Sequence, residues 1–132
     1  MLTFSRREDC AVVFMTSLAG HFGQKPVSLT SISKTTDISL PFLRQIALDL
    51  RRAGLLTSLE GKNGGYALAK EPTKISLGDV IEAVDKKELI TCCNPRQEHT
   101  CSCHEEKDDK LWRKLNRHYI KNYYRITLDR LA

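Results

Sequence analysis

Residues 30–69 read TSISKTTDISLPFLRQIALDLRRAGLLTSLEGKNGGYALA, and this stretch decides the fold. Thr30 to Thr36 reads as a short helix with Ile32 turned inward, and Asp37-Ile38 as a tight turn. Ser39 is placed to cap a second helix, with Pro41 in its first turn, where a missing N–H costs nothing. Leu43, Ile46, Ala47 and Leu50 then fall on one helical face, and Gly54 ends the helix after about Ala53. Leu55 to Leu59 is a strand, Glu60 to Gly65 is turn chemistry, and Tyr66 to Ala69 is a second strand. Helix, tight turn, helix and hairpin predict a mainly α fold with a small β-hairpin, a winged helix-turn-helix.

The flanks extend this unit. Upstream, Ser5-Arg6-Arg7-Glu8 fits a capping box that opens a helix from Arg6 to about Gly20. Ala11, Phe14, Met15, Leu18 and Phe22 predict its buried side, with Cys10 as a further core residue. Gly20, Gly23 and Pro26 stop that helix, and Val27 to Leu29 reads as a short strand. Downstream, Ser76 caps a helix whose Leu77, Val80, Ile81 and Val84 form one apolar stripe. Residues 86–109 show no periodicity, a long interruption for a compact domain and therefore a candidate functional segment. A final helix is expected over 108–132, with Leu111, Trp112, Leu115, Tyr119, Tyr123 and Ile126 as its apolar residues. Lys114, Arg117, Lys121 and Arg125 lie roughly opposite and read as a solvated face. The organisation is thus 1–85 for the winged domain, 86–109 for a cysteine-rich loop and 108–132 for a long C-terminal dimerisation helix.

Composition narrows the classes. The chain has 132 residues, 41% of them hydrophobic and 28% charged, which suits one globular domain with an appended arm. No apolar run reaches the ~20 residues of a membrane-crossing helix. Arg6 and Arg7 before an apolar run resemble a secretion signal, but Glu8 and Asp9 intervene and Thr16 and Ser17 interrupt it. The expectation is a cytoplasmic protein. Its net charge of +5 favours nucleic acid or anionic surfaces without specifying either.

Placement says more than net charge. Residues exposed at the start of the second motif helix meet base edges in the major groove. Here they are Ser39, Pro41, Phe42, Arg44 and Gln45. Arg44 suits guanine, Gln45 adenine, and Phe42 a thymine methyl. Arg51 and Arg52, Lys62 and Asn63 in the wing turn, and Arg6 and Arg7 are phosphate or minor-groove candidates. The plainer reading is a solvated helical surface, and winged helices also serve as protein-interaction modules. The apolar stripe of the last helix is most simply covered by a second copy, the alternative being a fold back onto its own domain. A homodimer would read two half-sites ~34–36 Å apart, and so a pseudo-palindromic double-stranded DNA operator.

Of five cysteines, four (Cys92, Cys93, Cys101 and Cys103) lie within twelve residues, with His99 and His104 beside them. In a reducing cytosol this clustering points to metal or redox chemistry, and soft thiolates select zinc, Cu(I) or iron–sulfur clusters. The spacing matches neither a zinc knuckle nor a ferredoxin run.

Together these pieces resemble the IscR/NsrR-type regulators, the Rrf-two family of winged-helix dimers that sense iron–sulfur status, redox stress or nitric oxide. The resemblance rests on Leu2-Thr3, Ile38-Ser39-Leu40, Leu50-Arg51-Arg52-Ala53-Gly54-Leu55, Gly61-Lys62-Asn63-Gly64-Gly65-Tyr66, Val80-Ile81-Glu82-Ala83-Val84-Asp85 and Ile126-Thr127-Leu128 in this order. It implies three cluster ligands among Cys92, Cys93, Cys101 and Cys103. The fourth would be Asp9 from the partner's first helix, or locally His104 or His99. Members of the family space three cysteines evenly, whereas this chain has an adjacent pair and a Cys-x-Cys. Both 2Fe-2S and 4Fe-4S clusters therefore stay open.

Two other readings stand beside it. One keeps the DNA binding but switches it by thiol–disulfide chemistry or zinc; the other is a small metal or redox carrier that never touches DNA. No nucleophile–base pair or phosphate loop points to an enzyme, since Gly61 to Gly65 lies in a hairpin.

Overall fold

A computed structural model describes residues 4–85, 118 and 121–132. Helices α1 (Arg6–Ala19), α2 (Leu29–Thr36) and α3 (Leu40–Arg52) come first. The hairpin of β1 (Leu56–Leu59) and β2 (Gly65–Leu68), a 3-10 turn (Pro72–Lys74), α4 (Leu77–Val84) and α5 (Leu128–Leu131) follow. This is the expected winged helix-turn-helix.

Local chemistry sets the ends of these elements. The Glu8 amide donates to the Ser5 hydroxyl (3.2 Å) while the Glu8 carboxylate accepts from the Ser5 amide, completing the capping box of α1. Ser76 and Asp79 do the same for α4. Asp37 takes the left-handed conformation (φ 57°) in the motif turn, and the Ser33 hydroxyl donates to the Ile38 carbonyl at 2.6 Å across it. At the end of α3, Gly54 (φ 76°) lets its own amide reach the Arg51 carbonyl and the Leu55 amide reach that of Leu50, a Schellman closure. Ser39 occupies the N-cap position of α3, as expected, but its side chain makes no capping hydrogen bond.

One core joins the helices to the hairpin. Ala11, Phe14 and Met15 of α1, Ile32 of α2, Leu43, Ile46, Ala47 and Leu50 of α3, and Val80 of α4 are wholly or almost wholly buried. Cys10 is buried among them. Phe22 is not part of it: α1 ends at Ala19, the chain turns away, and the ring is exposed.

The wing is tied down at its base. Strand pairing runs from Leu56 opposite Leu68 to Leu59 opposite Gly65. The expected strand at 27–29 is a single bridge, with Val27 and Tyr66 exchanging backbone hydrogen bonds of 2.9 and 2.8 Å, because Leu29 already opens α2. A Cβ on Gly65 would lie 2.4 Å from the Val27 carbonyl oxygen, which is backbone and cannot yield. Gly65→Ala is therefore expected to lower stability by about 2 kcal/mol in denaturant titration, as overpacking does.

The chain end corrects the expectation of one helix running to 132. Residues 121–123 are helical, then the chain turns at Tyr124 and Arg125. Ile126 and Thr127 cross onto the winged domain: the Leu77 amide donates to the Ile126 carbonyl (2.7 Å), and Thr127 bridges Ser76. The Leu128 amide donates to Ile75 (3.0 Å) and the Leu128 side chain is wholly buried. Tyr124 stacks where Gly78 has no Cβ, and its hydroxyl donates to Glu82 at 2.6 Å. Ile126 thus docks through its backbone onto its own winged domain, and Tyr123 meets Phe4 of its own chain edge-on at 5.9 Å. The other expected dimer residues, Leu111, Trp112, Leu115 and Tyr119, lie outside the described residues.

Candidate nucleic-acid interface and ligand residues

The α3 helix is amphipathic, and its burial pattern separates two roles. Leu43, Ile46, Ala47 and Leu50 face the core, while Pro41, Arg44, Gln45, Leu48, Arg51 and Arg52 are exposed. Arg44, with its planar fork, and Gln45, with its amide, are both exposed on α3, so both offer hydrogen-bonding groups to a docked surface. Ser39 is exposed at the start of this helix, its hydroxyl not engaged in capping. Phe42 is different: it is half-buried and packs against the core, which limits its ring as a base contact.

Leu48 is a residue that the sequence reading passed over. It stands one turn after Arg44 and is 45% exposed, a large apolar side chain on an otherwise polar, basic surface. Its signal was in the sequence, since it falls off the stripe of Leu43, Ile46, Ala47 and Leu50. An aliphatic group in that position suits the methyl of thymine.

Lys62 and Asn63 are both exposed in the turn between β1 and β2. That turn is closed by the Gly64 amide donating to Gly61 at 3.0 Å. The anchoring of Tyr66 to Val27, and the edge-on contact of its ring with Phe14 at 6.4 Å, hold the hairpin base against α1.

Arg6 and Arg7, adjacent in sequence, part company in space. Arg6 is exposed. Arg7 turns inward: its Nη2 is paired with the Asp49 carboxylate and its Nε donates to the Val84 carbonyl at 3.1 Å. This gives Arg7 intramolecular partners in place of the phosphate expected for it. The pair joins residues 42 positions apart, so no local pattern announces it.

Glu8 and Asp9 separate as well. Glu8 is folded back and buried in the capping box, whereas Asp9 is exposed in the first turn of α1. Of the two neighbouring carboxylates, Asp9 is the one open to a ligand outside its own helix. Cys92, Cys93, Cys101, Cys103, His99 and His104 lie outside the described residues. Among the described residues no three potential metal ligands gather, and no helix is long and apolar enough to cross a membrane.

Comparison with known proteins agrees with this arrangement. The profile of the Rrf2 family, described as iron-dependent transcriptional regulator, matches residues 4–132. The chain is 38% identical over 125 residues to the HTH-type transcriptional regulator IscR of Vibrio cholerae, covering 92% of this chain and 69% of that protein. It is 38% identical over 126 residues to IscR of Pectobacterium atrosepticum, covering 92% and 74%. Among solved structures, CymR, the global cysteine regulator of B. subtilis, superposes with a TM-score of 0.81 at 31% identity, covering 100% of this chain and 97% of that one. T. potens IscR superposes at 0.76 and 33% identity, covering 98% and 85%.

Proposed function

The chain belongs to the Rrf2 family of transcriptional regulators, and from that premise we propose how it reads DNA and what switches it. It is a DNA-binding regulator of the IscR type. In our reading it works in the cytoplasm as a homodimer on a pseudo-palindromic operator, and a cysteine-held iron–sulfur cluster sets its affinity for that operator.

The exposure of Arg44 and Gln45 on a helix whose other face is wholly buried supports the DNA-reading part. Arg44 donates two hydrogen bonds to guanine, Gln45 pairs with adenine, and Leu48 lies against a thymine methyl. Ser39, Arg51, Arg52 and Arg6 grip phosphates, and Lys62 and Asn63 enter or border the minor groove, so these residues set register and salt dependence. A dimer places two such helices one turn of DNA apart, and the apolar residues Leu111, Trp112, Leu115 and Tyr119 supply the contact.

One observation carries the cluster reading: with Glu8 consumed in the helix cap, Asp9 is left as an outward carboxylate on α1. Three thiolates from Cys92, Cys93, Cys101 and Cys103 with Asp9 of the partner subunit make a ligand set that suits iron, with His104 or His99 as local substitutes. Such a cluster, when bound, supplies a centre that reacts with oxidants and nitric oxide. Asp9 then ties the first helix of one subunit to the cysteine stretch of the other, and the angle between the two recognition helices depends on that tie.

A second reading has an observation of its own. The likeness to CymR extends over the whole chain, and Cys92-Cys93 with Cys101-x-Cys103 are close enough in sequence to exchange thiol for disulfide. Anaerobic purification with iron and sulfide assays separates the two. We expect both elements in the protein and at least a tenfold change in operator affinity when a chelator removes the iron. Protein without iron or sulfide whose affinity follows peroxide and dithiothreitol would establish the thiol switch instead.

A further inference from the structure

We propose that Arg7 is a positioning residue that couples both flanks of the cluster site to the recognition helix, an inference that rests on the cluster reading above. A single guanidinium joins three helices. Its Nη2 pairs with Asp49 of α3, and its Nε donates to Val84, the last residue of α4.

Both partners are badly placed by local rules. Arg7 is a cation in the first turn of α1, and Asp49 is an anion within a turn of the end of α3. Each opposes the dipole of its own helix. Paired, they offset each other, and the Nε–H satisfies a terminal carbonyl of α4 that has no acceptor role inside its helix. The Asp49 side chain is only 17% exposed and that of Arg7 35%, so the carboxylate is the more shielded of the two partners. The planar fork of arginine meets both acceptors at fixed angles, which the point charge of lysine does not.

The location gives the pair its meaning. Arg7 precedes Asp9 by two residues on α1. Val84 closes α4, and the chain runs from there towards Cys92. Asp49 stands one turn beyond Gln45 and next to Leu48 on α3. A shift of the first turn of α1, or of the end of α4, therefore stretches a hydrogen bond or moves α3 with it. By linkage, operator binding acts back on the same two segments.

The test uses the full chain as wild type, Arg7→Lys and Asp49→Asn. The probe is a duplex selected by the iron-loaded wild type from a random 30-base-pair library. Affinity is read by fluorescence anisotropy for iron-loaded and chelator-treated protein, with iron content and melting temperature measured alongside. The ratio of the two affinities is the readout, because a merely stabilising contact leaves it unchanged in folded protein. We expect the ratio to fall at least threefold in each variant at wild-type iron content; if Arg7→Lys does not fold, Asp49→Asn decides. A smaller fall overturns the proposal, as does equal weakening of both forms with a salt slope reduced by about one, the mark of a phosphate contact. A wild type whose affinity ignores iron removal overturns the cluster reading and this inference together. A responsive wild type with equally responsive variants overturns the inference alone.

Discussion

Replacing Arg44 and Gln45 together by alanine is expected to weaken binding to the selected operator by 100-fold or more, while non-specific binding changes little. Each bidentate base contact discriminates by about 1–3 kcal/mol, so losing both removes most sequence preference. Both side chains are exposed on α3, and neither supports the core made by Leu43, Ile46, Ala47 and Leu50. The fold should therefore survive, with a melting temperature close to wild type. Arg51→Ala and Arg52→Ala provide the contrast. As phosphate contacts, each should reduce affinity for all sequences alike and flatten the salt dependence by about one ion. Binding titrations of operator and scrambled duplex at several salt concentrations check both outcomes. An Arg44→Ala, Gln45→Ala protein that kept full preference for the operator would falsify base reading by this helix.

Leu128→Ala is the second large effect, and it concerns stability. Leu128 lies outside the winged domain in sequence, yet it is wholly buried in the same core as Phe14 and Ile75. Removing a buried leucine side chain costs about 2–5 kcal/mol, depending on how far the cavity collapses. For a chain of this size about 3 kcal/mol lowers the melting point by roughly 10 °C. Thermal unfolding followed by circular dichroism measures it. A shift below 2 °C would mean that the chain end is not docked in solution as it is in the structure.

The parts of the fold that sequence reading reached are those encoded locally. The capping box at Ser5, the cap at Ser76, the stripe on α3, Gly54 and the turn around Asn63 each act over a few residues, and each appears in the structure where expected. Where it fell short, distant partners decide. The i, i+4 apolar rhythm from Tyr119 to Tyr123 and on to Ile126 imitates one continuous helix. The break comes from Gly78 admitting the ring of Tyr124 and from Ser76 pairing with Thr127, contacts made across some 50 residues. The β-branched Ile126-Thr127 pair was the one local hint of extended backbone. Arg7 looked like any surface cation for the same reason, its partner being on another helix. In the recognition surface, Arg44 and Gln45 were legible from periodicity. Phe42 is half-buried because the apolar side of α3 is wide enough to include it, and Leu48 escaped notice because apolar residues are read as core by default.

The docking of the chain end also has a topological consequence. The chain leaves the winged domain at the last turn of α4 and returns to pair with the residues just before its first turn. Eight helical residues span about 12 Å, so the exit and the re-entry are pinned that close together. The exit after Val84 and the docking of Ile126 to Leu128 thus share a single two-turn strut. The stretch that joins these two points can change in length without altering the register of the core, because both of its attachments are made to the same short helix.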